Sequence, residues 1–177
     1  MGKEKKCTLY KKYTSYKKCF PYLILAGFTF FFCWWFVGRH GIFGAKVDWL
    51  SQHSVLPDYF RQQFYATGKI FPEFAPNLGG GQNIYHFAYY GLYSPLILPS
   101  YLLPFVKMSD YIMVISITGL TVSVLLFYYW LKSRKMDTGV AFIISLMFLL
   151  AGPMIGQYSG QIMFVDYMPF LLSLIHI

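Results

Sequence analysis

From Asp48 to Arg61 the chain reads Asp-Trp-Leu-Ser-Gln-His-Ser-Val-Leu-Pro-Asp-Tyr-Phe-Arg, with two carboxylates, an imidazole and a guanidinium in one short stretch. Asp48, or more weakly His53, can take the proton of a hydroxyl as that hydroxyl attacks. Arg61, or Arg39 upstream, can face a phosphate and neutralise charge as it departs. Asp58 follows Pro57 at a predicted helix start, where a carboxylate serves as cap or dipole partner. The five-residue steps from Asp48 to His53 to Asp58 do not align on a helix face. No metal site or cofactor is predicted from them, and a divalent metal stays open. On its spacing alone, Asp48 also reads as a solvated loop carboxylate.

A second group follows in Phe71–Tyr93. Gly79, Gly80 and Gly81 give backbone freedom, and Gln82, Asn83, Tyr85, His86, Tyr89 and Tyr90 follow. No Gly-Lys-Ser/Thr follows the glycines, so this is not a phosphate loop. Amide groups and aromatic faces suit a sugar or a polar headgroup, while a glycine-rich turn with interfacial tyrosines fits the same residues. Asp166, in Gln161–Pro169, is a further candidate because ionisable groups at membrane depth tend to be functional. If the next helix starts later, it is merely interfacial.

The elements that must carry these residues are set by composition. Of 177 residues, 56% are hydrophobic and 12% charged, against about 25% charged in a soluble domain. Aromatics reach 21%, and mean hydropathy is +0.46. A disordered chain and a disulfide scaffold are excluded, and the fold class expected is an all-α polytopic membrane protein. Charge-free spans are predicted at 20–37, which ends in Trp34, Trp35 and Phe36, at 111–131, and at 139–155. Residues 156–171 form an outer loop and the start of a fourth span. The basic run and bulky span end fit a retained signal-anchor better than a cleaved signal peptide.

Seven lysines against Glu4 give residues 1–19 a net charge of +6, and residues 132–138 carry +2. The positive-inside rule places both in the cytoplasm, as a basic tail and a short loop, and leaves 38–110 outside. Tyr10, Tyr13 and Tyr16 interleave with the lysines, but the tail runs straight into an apolar span. It reads as an anchor near anionic lipid, with the bilayer and no nucleic acid as partner. Cys7, Cys19 and Cys33 imply neither a disulfide framework nor a zinc site.

Within 38–110, Val47–His53 can open a helix. Leu56, Phe60 and Phe64 recur at i, i+4 and i+8, with Asp58, Arg61, Gln62 and Gln63 on the polar side. This predicts an amphipathic helix over 57–67, capped by Gly68, lying on the membrane face or packed on the span ends. Leu92–Val106, broken by Pro95, Pro99 and Pro104, suits a re-entrant or interfacial piece.

The last six residues, Leu172–Ile177, translate CTGTCTCTTATACACATC, the transposase mosaic-end adapter of sequencing libraries. The parent frame is therefore expected to continue past Phe170, and His176 is set aside.

The lysine-rich start, the first span and VDWLSQHSVLPDYFRQQFYATGKIFPEFAPNLGGGQNIYHFAYYGLYSPLILPSYLLPF resemble the N-terminal part of bacterial YfhO-family membrane proteins, over roughly residues 20–170. The most specific runs are Asp-Trp-x-Ser-Gln-His and Gly-Gly-Gly-Gln-Asn-Ile-Tyr. The resemblance implies a GT-C-like glycosyltransferase that uses a polyprenyl-phosphate sugar donor on the outer face. The acceptor implied is an envelope polymer such as teichoic acid, and the location a bacterial plasma membrane. A GT-C enzyme places an acidic residue soon after span one, and Asp48 matches that position. Such enzymes have many more spans, so this chain resembles a front piece expected to lack a complete site. The rival readings are a transporter or flippase subunit and a non-catalytic envelope-assembly protein.

Overall fold

A computed structural model describes residues 2–40, 44, 48–152, 154, 169, 171 and 172, with only the backbone for 2–18 and His40. It is mostly helical. Helix α1 (Gly2–His40) runs for 39 residues with Pro21 inside it. At 1.5 Å per residue that is about 58 Å, nearly twice the ~30 Å hydrocarbon core of a bilayer. The apolar part, Cys19–Arg39, is long enough to cross a membrane by length and composition, and so is α3 (Met108–Ser133). Helix α4 (Thr138–Leu149) is apolar but 12 residues long. It occupies the first part of the third expected span, and Gly152 and Met154 are also helical.

Helices α1, α3 and α4 pack together. Helix α1 turns a narrow stripe inward, Leu25, Thr29 and Cys33, while Leu23 and Trp34 on its other faces stay 70% and 72% exposed. Ser116, Gly119 and Ser123 of α3 and Ala141 and Ser145 of α4 are all buried. Small residues at these positions let helix backbones approach. The hydroxyls of Thr29, Ser123 and Ser145 each donate to the carbonyl four residues back at 2.8 Å, so burial leaves them bonded. Tyr22 meets Tyr128 edge-on at 4.8 Å, and Phe127 stacks on Phe148 at 4.5 Å. Asp137 starts α4 by accepting the amides of Gly139 and Val140.

Between α1 and α3 the chain builds a cap with its own core of Leu56, Phe60, Ala75, Ile84, Tyr90, Leu92 and Tyr101. Burying Phe60 completely contributes about 1.5–3 kcal/mol. Helix α2 (Val55–Thr67) covers this core and ends at Gly68, whose φ of 70° is the left-handed cap expected of glycine. Strands β1 (Phe74–Ala75) and β2 (Gln82–Asn83) pair antiparallel, Phe74 with Asn83 and Ala75 with Gln82. Gly79, Gly80 and Gly81 between them all take positive φ. Residues 92–106 form turns around a short 3₁₀ helix, Leu98–Leu102. Trp49 and Ile97 are buried in the core of the helix bundle and pin the cap to it.

Candidate functional site

Asp48 enters a π-helical turn, Trp49–His53, in which the Ser54 amide donates to the Trp49 carbonyl at 3.0 Å. An i→i+5 turn is wider than an α-helical one. It undoes the misalignment that a five-residue step has on an α-helix and draws His53 back toward Asp48. The Asp48 side chain is exposed, whereas His53 is 4% exposed. The His53 ring lies 5.2 Å from that of Tyr90 and 6.3 Å from that of Trp49. Its Nδ1 is buried with no hydrogen-bond partner among the described residues.

The charges at this point are coupled. Burial lowers the His53 pKa, and the negative charge of Asp48 partly opposes that. Tyr90 donates its hydroxyl to Gln52 Oε1. Its pKa is pushed up to about 12, first by burial, then by Tyr89, and last by Asp48. The Asp48 carboxylate therefore acts electrostatically on both groups. What results is an exposed proton acceptor beside a neutral imidazole with an open nitrogen and a phenol that keeps its proton. That arrangement can accept a proton from a hydroxyl bound at Asp48 and hold its surroundings uncharged while it does so.

The other predicted residues fall in different places. Arg61 is 6% exposed, not on the solvated side where the helical period put it. Its Nη1 donates to the carbonyls of Leu103 (3.1 Å) and Val106 (2.9 Å), and its Nη2 to Asp58 Oδ1 at 2.6 Å. Asp58 also accepts from Gln62, so it is an ion-pair partner more than a cap. Arg39 lies over the Trp35 ring at 5.4 Å, one turn back on α1. Asn83 accepts the Tyr85 amide and so starts the 3₁₀ helix Ile84–Tyr90. Tyr85 stacks on Tyr93 at 6.0 Å, while Gln82 is half-buried and His86 exposed. Asp166 lies outside the described residues. Among the described residues no three His, Cys, Asp or Glu side chains gather as a metal cluster.

Sequence reasoning named Tyr90 in the glycine-rich group but did not join it, or Gln52, to Asp48 and His53. Gln52 and Tyr90 are 38 positions apart, and no local pattern links residues at that distance.

A family model of the bacterial membrane protein YfhO matches residues 18–176. The chain belongs to the YfhO family. Within this YfhO protein the matched region takes in the bundle helices, the cap and the Asp48–His53–Tyr90 group alike. No curated protein and no solved structure matches it.

Proposed function

We propose that the parent of this YfhO chain transfers a sugar from a polyprenyl-phosphate donor to a cell-envelope polymer at the outer face of the plasma membrane. Helices α1 and α3 cross the bilayer in this reading, with the N-terminus in the cytoplasm and the cap outside. The Asp48 carboxylate takes the acceptor hydroxyl's proton as its oxygen bonds to the anomeric carbon, and the bond from that carbon to the lipid phosphate breaks. Loss of the proton makes the oxygen a stronger nucleophile. His53 and Tyr90 act as positioning residues that wall the base on its protein side. Gln82, Asn83, Tyr85 and His86 supply polar contacts for the acceptor, and Arg39 is a cation available to the departing lipid phosphate.

The observation that carries this reading is the exposed Asp48 carboxylate acting on a buried imidazole one π turn away, whose Nδ1 has no hydrogen-bond partner among the described residues. Asp48→Asn in the parent protein, reconstituted with a polyprenyl-phosphate sugar, should abolish transfer while leaving membrane insertion and abundance unchanged. Retained transfer would remove Asp48 from the mechanism.

A further inference from the structure

Where α2 and α3 both begin, the cap leaves a cleft of about 390 Å³ lined by residues that include Ser54, Asp58, Arg61, Phe105, Lys107 and Ser109. Three features of its walls point to one chemistry. The first is charge. Arg61 is fixed in the floor by its bonds to Leu103, Val106 and Asp58. Lys107 is exposed, and no ion pair engages it among the described residues. Among the described residues of the lining the only carboxylate is that of Asp58, which Arg61 and Gln62 already satisfy. Two cations against one anion leave the cleft net positive.

The second feature is the backbone. Lys107 is the N-cap of the 26-residue helix α3 and makes no side-chain capping bond. The first amides of a helix have no partner within it, and they carry the positive end of its dipole. Asp110, in the same turn, is not part of the lining. The third is the rim. Phe105 of the lining is 81% exposed, and Leu102, three residues before it, is 80% exposed, more than any other large apolar side chain described in the cap. Both come shortly before Met108, the first residue of an apolar helix long enough to cross a bilayer. A positive polar floor with an apolar lip at a span entrance matches a molecule that is phosphate at one end and hydrocarbon at the other.

We infer that this cleft binds the phosphate ester of a membrane lipid, with the phosphate on Lys107, Ser109 and the first α3 amides and the hydrocarbon against Phe105. The inference stands apart from sugar transfer and would hold for a YfhO protein that moved no sugar. A phospholipid headgroup and a polyprenyl phosphate share this chemistry.

The test titrates the purified full chain, in neutral detergent, separately with phosphatidylglycerol, a polyprenyl phosphate, phosphatidylcholine and inorganic phosphate, counting bound molecules by native mass spectrometry. At least one of the two anionic lipids should saturate a single site at least tenfold more tightly than phosphatidylcholine, and its identity gives the source. Lys107→Glu should weaken that binding tenfold or more. Lys135→Glu, the same charge change in the α3–α4 turn, should leave it unaltered. Ser109→Asp, which adds negative charge to the wall, gives an independent loss if Lys107→Glu does not fold. Equal binding of anionic lipids and phosphatidylcholine overturns the inference. So does equal sensitivity to the Lys107 and Lys135 changes, or binding of inorganic phosphate without preference for either anionic lipid.

Discussion

His53 is held by surroundings that favour its neutral form, and this makes the cap sensitive to acid. Burial lowers the imidazole pKa below its ordinary 6.5, against a smaller opposing effect of Asp48. The unfolded chain then binds the proton more readily than the folded one, so stability is complete above the unfolded value and is lost as pH falls through it. We expect the thermal midpoint to drop between pH 8 and pH 5.5, and His53→Gln to remove much of that drop. An unchanged pH slope in the variant would show that His53 does not titrate as described. The residues themselves were plain in the sequence as a carboxylate and an imidazole five apart. Their relation was not, because it depends on a π turn, and no residue pattern distinguishes an i→i+5 turn from an α-helical one. Tyr90 was less legible still, since its place in the group depends on packing between segments far apart in the chain.

At the scale of elements, two glycines with positive φ separate backbone strain from crowding. Gly68 (φ +70°) has open space where a side-chain carbon would stand, whereas at Gly91 (φ +103°) that carbon would sit 2.9 Å from Ile97 Cγ1. A residue other than glycine in the left-handed region costs about 1–2 kcal/mol. Gly68→Ala should lose about that much stability, and Gly91→Ala more, because Ile97 is completely buried and has little room to move. Equal losses in chemical denaturation would rule out the crowding argument. Gly68 was readable in advance because a glycine closing an apolar i, i+4, i+8 period is a local signal. So was the inward face of α2 at Leu56, Phe60 and Phe64. Arg61 was misjudged for the opposite reason. Its carbonyl partners lie 42 and 45 residues away, and by helical period alone a guanidinium belongs in water. The residues from Leu92 to Val106, expected as a re-entrant or interfacial piece, form turns that these bonds and the Tyr111 hydroxyl on the Leu96 carbonyl hold in place.

Among the described residues the molecule has two cores, one in the helix bundle and one in the cap, joined by Trp49 and Ile97. Composition and charge were enough to foresee membrane helices and a large organised segment between the first two. Helix α4, 12 residues long, fills the first part of the third expected span. The proposed orientation predicts opposite accessibilities for the cap and for the far end of α3. In intact cells a membrane-impermeant maleimide should label a cysteine introduced at the exposed Tyr89, and should label one at Ser133 only after permeabilisation. The reverse pattern would invert the topology.

The cap is attached at both of its ends, and this bears on the order in which the protein is made. Its residues leave the ribosome after α1 and before α3, yet the Met108 end of α3 supplies many of its anchors. Ile97 packs into a core that includes Ile112, and the Leu96 carbonyl waits for the Tyr111 hydroxyl. The Arg61 fork closes only once Leu103 and Val106 have arrived. A nascent chain arrested before Tyr111 should therefore carry a cap that proteases can cut. Synthesis of one further helix should make the same segment resistant.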